Sequence, residues 1–227
     1  MWRKKLVAPD EFDIEVKKLA INKGHIPIIE PTSLRIKQSD LMLIVGETEV
    51  SQVSFALSLA GRMKLSSGSV KIDNEENPEL LQEMVALVDV PNISEPDDVM
   101  KLETIVGEEL AIAGRKAMPK HVRAFLQQNK ISKYAKETFE TLPNKIRYDV
   151  LMKLASIRPN TKVLLLVEPD RLGGKPEIWW KIAKKYNKLG FTVVVQCRES
   201  SARILGEEYF RLGENNNKKS TKKAGKR

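Results

Sequence analysis

Two short segments place polar side chains directly after continuously apolar runs, where they can reach a bound ligand. The run Leu41–Val45 is followed by Gly46 and by a hydroxyl-bearing stretch that ends at Ser54. The run Val163–Val167 is followed by the carboxylate of Glu168. A glycine turn lets the backbone approach a ligand closely, and a carboxylate can act as a general base. These two segments are therefore the candidates for chemistry.

Composition excludes an internal disulfide and a thiolate metal site. Cys197 is the only cysteine, so the chain can form neither an internal disulfide nor a thiolate metal site. We expect Cys197 to be a small buried residue.

Length and hydropathy favour one large domain that carries a subdomain. The chain has 227 residues, of which 41% are hydrophobic, enough for one well-buried core. No apolar run approaches the roughly 20 residues that cross a bilayer, and residues 1–5 lack the apolar stretch of a secretory signal. We expect a cytoplasmic protein.

The positive charge is concentrated at the end of the chain. Net charge is +9, and residues 1–213 carry only +4 of it. Residues 215–227 contain no large apolar side chain, which predicts a disordered basic tail over 214–227. Such a tail favours solubility and offers contact with an anionic membrane surface, whereas a nucleic-acid groove is not indicated. The positive charges of the tail are Lys218, Lys219, Lys222, Lys223, Lys226 and Arg227.

Periodicity predicts an α/β fold with a parallel core sheet. Three continuously apolar runs, at 41–45, 163–167 and 192–195, are typical of strands buried on both faces. Shorter strands are predicted at 12–16, 34–36, 70–72 and 84–88, with a turn around Pro31 between the first two. Helices are predicted from Val53, over 178–189, and across a block from 102 to 156 in which Pro119 begins a helix that breaks near Asn129.

The order of these signals resembles the ATP-binding subunits of ABC transporters over residues 10–213. Five pieces carry the resemblance. The first two are Leu43-Ile44-Val45-Gly46, at the entry to Walker A, and residues 59–61 with 67–72, which are similar to the "LAG" and "SGxVxI" segments. The third is residues 102–110, similar to the "LTVxENL" entry to a helical subdomain. The last two are residues 163–169, similar to Walker B, and residues 190–195, similar to "GxTVVxV". The resemblance implies a P-loop NTPase-like core over 1–213 with a helical subdomain at about 98–156.

The Walker A segment has lost its phosphate ligands. By position Gly46 remains, Glu49 and Ser51 replace the inner glycines, Gln52 replaces the lysine and Val53 replaces the magnesium ligand. Ser54 alone keeps a hydroxyl near the end of the segment, and no lysine lies between residues 40 and 62. Glu47 also adds a negative charge, and one close like-charge contact costs about 4 kcal/mol at an effective dielectric near 20. We expect the loop to repel nucleotide.

The Walker B segment keeps one carboxylate of two. Val167 stands where the resemblance places the magnesium-orienting aspartate, and Glu168 stands at the position of the water-activating base. Since a base without a metal-bound triphosphate has nothing to attack, we favour a structural role for Glu168, paired or capping. No metal site is expected.

The remaining family positions are also altered. Asn144 and Lys145 replace the signature glycines, and Arg198 replaces the switch histidine. The D-loop is reduced to residues 170–174, and no glutamine follows Val88 within residues 89–91. His25 is the nearest substitute for an adenine-stacking aromatic, and we expect it in a surface loop.

These losses predict a non-catalytic, structural or regulatory subunit beside a membrane protein or another ABC-type subunit, with a homodimer as a further arrangement. No cofactor is expected, and ATP with magnesium is the one the family would use. A competing hypothesis is a nucleotide-binding cassette with atypical ligands, Ser54 for magnesium and Arg62 or Lys64 for phosphate. A third is a nucleic-acid or lipid-binding module based on the tail. The resemblance places the protein at the inner face of the cell membrane.

Overall fold

The computed structural model describes residues 11–218, and the rest of the predicted tail, 219–227, lies outside them. The described strands are β1 (Asp13–Lys23), β2 (Ile26–Lys37), β3 (Leu41–Val45), β4 (Ser67–Ile72), β5 (Val85–Val88), β6 (Val163–Val167), β7 (Thr192–Cys197) and β8 (Phe210–Arg211). The described helices are α1 (Glu49–Leu59), α2 (Pro78–Met84), α3 (Leu102–Ile112), α4 (Pro119–Gln128), α5 (Asn144–Ser156), α6 (Pro176–Lys188) and α7 (Glu199–Leu205).

The core sheet is parallel, in the order β5-β6-β7-β3-β8, which confirms the predicted fold class. Strands β5, β6 and β7 are buried on both faces because helices or the second sheet cover each side, whereas the edge strand β8 is partly buried. In β6, Leu164 and Leu166 face the layer of α3 to α7, whereas Val163 and Leu165 face α1 and the second sheet. This alternation splits the interior into two hydrophobic clusters, one on each face.

The second sheet is antiparallel, in the order β2-β1-β4. Its first two strands are longer than predicted, and the turn between them lies at Gly24 and His25, so the expected turn around Pro31 is wrong. Pro31 lies within β2, which is an edge strand and can accommodate a residue without an N–H. The alternation is interrupted because Lys18 adopts φ 48° at a register shift in β1.

Local capping explains where two helices begin. Helix α1 starts at Glu49, four residues before the predicted Val53, because Thr48 caps it. Helix α2 escaped prediction although its signal is present: Asn77 accepts a hydrogen bond from Leu80 N, and Pro78 occupies the first turn. Helix α4 begins at Pro119, as predicted.

The predicted boundary of the disordered tail is wrong, because the chain stays folded beyond Glu214. Ser33 N donates to Glu214 O at 3.0 Å, next to a bridge between Ser33 and Asn215. Asn216 is buried, and its Nδ2 donates to Ser33 O at 3.3 Å and Arg211 O at 3.0 Å. Composition alone missed this segment because its stability comes from distant backbone groups of β2.

Candidate functional site

The turn after β3 is short and is closed by its own capping box. Only Gly46, Glu47 and Thr48 separate the strand from α1. Thr48 Oγ1 accepts from Ser51 N at 3.2 Å, and Thr48 N donates to Ser51 Oγ at 3.4 Å. These N–H groups are therefore committed to the chain itself, where a phosphate-binding loop would turn its amides toward a ligand.

Gln52 fills the space beneath this turn. Its Nε2 donates to Gly46 O at 2.9 Å and to Glu168 Oε1 at 2.8 Å, and the side chain is fully buried. A Cβ added to Gly46 would lie 2.7 Å from Gln52 Cγ. Gly46 is thus required by the packing of Gln52.

Glu168 is a buried carboxylate at the end of β6. It is 1% exposed and adopts φ 46°, a left-handed conformation, while its N donates to Gln196 O at 2.9 Å. Burial raises the pKa of Glu168, the charges of Glu49 and Asp170 raise it further, and Arg198 and Arg171 oppose them. The neutral amide of Gln52 donates the hydrogen bond to this carboxyl group.

Gln196 completes the cluster from β7. Its Nε2 donates to the backbone oxygen of Gln52 at 3.0 Å, and its side chain is fully buried. We call Gln52, Glu168 and Gln196 the amide plug. Gln196 was missed by the sequence analysis, although a glutamine inside the apolar strand Thr192–Cys197 is a readable signal, since a buried polar side chain needs a partner.

The other Walker positions contribute no ligand chemistry to the plug. Val167 is fully buried and packs in the cluster on the α1 side. Val53 is partly buried against the same cluster, and Ser54 lies buried within α1. Throughout residues 11–218, no three His, Cys, Asp or Glu side chains converge in a way that could hold a metal ion.

The alternative ligands do not meet at this site. Arg62 lies past the far end of α1, which is about 16 Å long at 1.5 Å per residue. Its guanidinium donates to the carbonyl oxygens of Ala60 at 3.0 Å and Gln82 at 2.8 Å, and burial lowers its pKa. Lys64 follows on the exposed surface.

The fold of this chain is similar to that of solved ABC transporter cassettes. No family model matches the chain. It is similar to a dimeric bacterial ABC transporter cassette (TM-score 0.65, 20% identity, 88% of this chain and 95% of that chain) and to an ATP-binding cassette in its ADP conformation (0.64, 16%, 91% and 89%). A component of the cbiONQ ABC transporter complex of Clostridium perfringens is also similar (0.58, 18%, 84% and 80%). The chain has the fold of an ABC ATP-binding cassette.

One curated protein is related in sequence. It is the nucleoside import ATP-binding protein NupA of Lactococcus lactis subsp. cremoris (strain MG1363), with 24% identity over 135 residues, 58% of this chain. The matched region spans about a quarter of that protein, 27% of its length. The resemblance seen in the sequence is therefore confirmed as an ATP-binding-subunit-like cassette fold.

Residues 144–145, which the resemblance places at the signature position, pack on residues 170–174, at its D-loop position. Asn144 begins α5, and its Nδ2 donates to Gly173 O at 3.1 Å. Lys145 is exposed beside it. The structure thus brings together two motif positions that the sequence separates by almost thirty residues, through one side chain-to-backbone hydrogen bond.

Arg198 and His25 lie on the surface. The backbone N of Arg198 donates to Asp170 Oδ2 at 2.8 Å, and the same oxygen accepts from Ser201 Oγ at 2.7 Å. The Arg198 side chain is exposed and lowers the pKa of Glu168 only as an opposing charge. His25 is exposed at the β1–β2 turn, as expected for a loop residue.

A second buried polar cluster lies at the end of β5. Asp89 is 1% exposed and lies 3.5 Å from an Arg147 nitrogen and 3.1 Å from an Arg171 nitrogen. Arg171 also pairs with Glu95 at 2.9 Å, and Arg147 pairs with Asp98 at 3.0 Å. We call Asp89, Arg147 and Arg171 the arginine clamp.

The clamp joins the helical block to the sheet. Arg147 belongs to α5, whereas Arg171 follows β6 and also donates to Val167 O at 3.2 Å. Burial alone lowers the pKa of Arg171, but Asp89 and Glu95 outweigh it, so that its pKa is raised. Sequence analysis noted only the missing glutamine at this position, because the two arginines are distant along the chain.

No helix within the described residues is both long enough and apolar enough to span a bilayer.

Proposed function

We propose that this chain is a non-catalytic cassette, a structural or regulatory subunit that associates with a membrane partner. The observation that carries the proposal is the amide plug. Gln52 stands at the position of the phosphate-binding lysine, and its Nε2 donates both hydrogens within the protein, to Gly46 O and to Glu168 Oε1. The chain keeps the cassette fold, but the polar groups at its strand ends form hydrogen bonds with one another.

The side chains at this site do not fit magnesium-ATP. A bound triphosphate requires a cation at the lysine position and oxygen ligands for the metal. Here an amide and the buried Val167 occupy those positions, and Glu47 and Glu49 add negative charge beside the turn. The one carboxylate left, Glu168, has a raised pKa, which also weakens it as a metal ligand.

The segment that would complete a partner's site is altered as well. The resemblance implies that each nucleotide lies between Walker A of one subunit and the signature of the other. Asn144 and Lys145 present side chains where glycines would let the backbone approach a phosphate, and Asn144 is bound to Gly173. Pairing with an active cassette would therefore leave both composite sites incomplete.

The setting follows from the resemblance. Cassettes of this fold operate at the inner face of the membrane with a membrane subunit, and a second cassette or a homodimer is the expected further partner. NupA is named as an import protein, so an import system is the first place to seek the membrane partner. Recovery of a multi-pass membrane protein in a pull-down from detergent-solubilised membranes supports this setting.

The catalytic part is tested by nucleotide titration and by hydrolysis. We expect no saturable binding of a fluorescent ATP analogue with magnesium, and ATP turnover equal to that of Glu168→Gln. Turnover above that variant contradicts the proposal. Saturable binding without turnover supports instead a cassette that binds nucleotide through atypical ligands.

A further inference from the structure

A basic cavity of about 450 Å³ opens between α3, α4 and α5 and shares no lining residue with the amide plug. Leu110, Phe125 and Ile157 contribute its apolar lining. Four cationic or imidazole side chains also line it, namely Arg115, Lys116, His121 and Lys153, beside the neutral amides of Gln128 and Asn129. Within residues 11–218, no acidic side chain lines the cavity.

These cations are not neutralised by the protein. Among residues 11–218, the side chains of Arg115, Lys116 and Lys153 form no ion pair and no hydrogen bond. His121 Nδ1 is buried and has no hydrogen-bond partner within the same part of the chain. Three free cations around one cavity create a local positive potential that attracts an anion.

A neighbouring cavity shows that this imbalance is local. The larger groove of about 1100 Å³ between α3 and α4 is lined by Glu103 and Glu108 as well as by Arg123 and Lys136. Glu103 and Lys136 form an ion pair there. Acidic and basic groups offset each other in that groove, whereas the charged groups that line the smaller cavity within residues 11–218 are all basic.

Apolar side chains stand beside the basic ones on the α3–α4 connection. Ile112 is 65% exposed and Met118 is 55% exposed, and they flank Arg115 and Lys116 in the sequence. Exposed aliphatic side chains next to lysine and arginine are typical of surfaces that enter the headgroup region of a membrane.

We infer that this connection and its cavity bind an anionic phospholipid at a membrane surface. Arg115, Lys116 and Lys153 contact the phosphate, and Ile112 and Met118 enter the interface. A nucleic acid fits less well, because exposed aliphatic groups add nothing to phosphate binding and Phe125, the one phenylalanine of the described lining, is buried rather than free to stack on bases. The inference does not depend on the proposed loss of catalysis.

The test is vesicle co-sedimentation of the full-length chain, with phosphatidylcholine alone and with added phosphatidylglycerol. The variant Arg115→Glu/Lys116→Glu should lower the partition coefficient on anionic vesicles by about thirtyfold or more, since two basic contacts are lost. The matched control is Lys181→Glu/Lys188→Glu, which makes the same charge change at exposed positions of α6. We expect the control to lose less than about threefold through the change in net charge.

Equal losses in both variants overturn the inference, because net charge or the terminal lysines would then explain binding. Ile112→Ser/Met118→Ser separates the apolar contribution: it should reduce the binding that persists at high salt, where surface charge is screened. Binding of polyuridylate that is abolished by Arg115→Glu/Lys116→Glu, with vesicle binding unchanged, also overturns it. Thermal unfolding of each variant shows that the fold is retained.

Discussion

The amide plug and the arginine clamp lie at the carboxyl ends of strands in one sheet, yet they bury a carboxylate in opposite ways. In the plug, Glu168 faces the neutral amide of Gln52. In the clamp, Asp89 lies between two guanidinium groups. The ends of these strands are where this fold class binds ligands. The comparison shows that polar side chains at such ends can instead bind one another, either through neutral hydrogen bonds or through ion pairs.

The largest expected effect is at the clamp. Asp89→Asn keeps a residue that tolerates the left-handed backbone, φ 56°, and removes only the charge. Breaking a buried ion pair typically costs 3–5 kcal/mol, and we expect about 3 kcal/mol because Glu95 and Asp98 still pair with the arginines. Urea unfolding measures the loss.

An exposed pair provides the control for the clamp. Lys136→Ala removes the partner of Glu103 and should cost less than about 1 kcal/mol. A comparable loss of unfolding free energy in both variants would show that burial does not strengthen the ion pairs of Asp89.

The next effect is at the plug. Gln52→Met keeps the volume and removes the donor to Gly46 O and Glu168, which leaves buried acceptors unpaired and should cost about 1–3 kcal/mol of unfolding free energy. The matched control is Gln82→Met, because Gln82 Nε2 also donates to a backbone oxygen, that of Gly61, at an exposed site. If Gln82→Met is the more destabilising of the two, the plug does not hold the strand ends together.

The pH dependence of stability tests the raised pKa of Glu168 in the amide plug. Because the pKa of Glu168 is raised in the folded protein, its favourable contribution is complete below the ordinary glutamate pKa and is lost as pH rises through the folded value. Glu168→Gln removes this loss, so the variant should gain stability relative to the parent as pH increases across that window. Urea unfolding from pH 4 to 8 measures the difference, and parallel profiles would contradict the raised pKa.

The smallest effect is at the signature segment. Asn144→Ala removes one hydrogen bond to Gly173 O, which should cost no more than about 1 kcal/mol. Proteolysis of the native chain between residues 169 and 175 should rise slightly, since this contact restrains the segment. An unchanged cleavage rate would show that Asn144 does not hold the D-loop.

Much of the fold could be read from the chain. The three continuously apolar runs became β3, β6 and β7, because only strands covered on both faces can use such segments. The start of α4 was readable from Pro119. The longer β1 and β2 were missed because a bulge at Lys18 breaks the alternation.

The candidate site was read only in part. The positions of Gln52 and Glu168 followed from their place after buried strands, but their hydrogen bond joins residues 116 positions apart. Asp89 and the two arginines of the clamp were missed for the same reason, whereas Gln196 was missed although a glutamine inside an apolar strand is a local signal.

The sequence by itself determined the order of the central strands β3, β6 and β7, the helices α1, α4 and α6, and the chemical types at each motif position, because hydrophobic periodicity and local capping act over a few residues. Only the tertiary structure decided what those polar groups do. Burial removes water as a partner, so the amide donors of Gln52 and Gln196 bind the chain segments that the sheet brings beside them. For Gly46 and Gln52 that segment is the protein's own strand end.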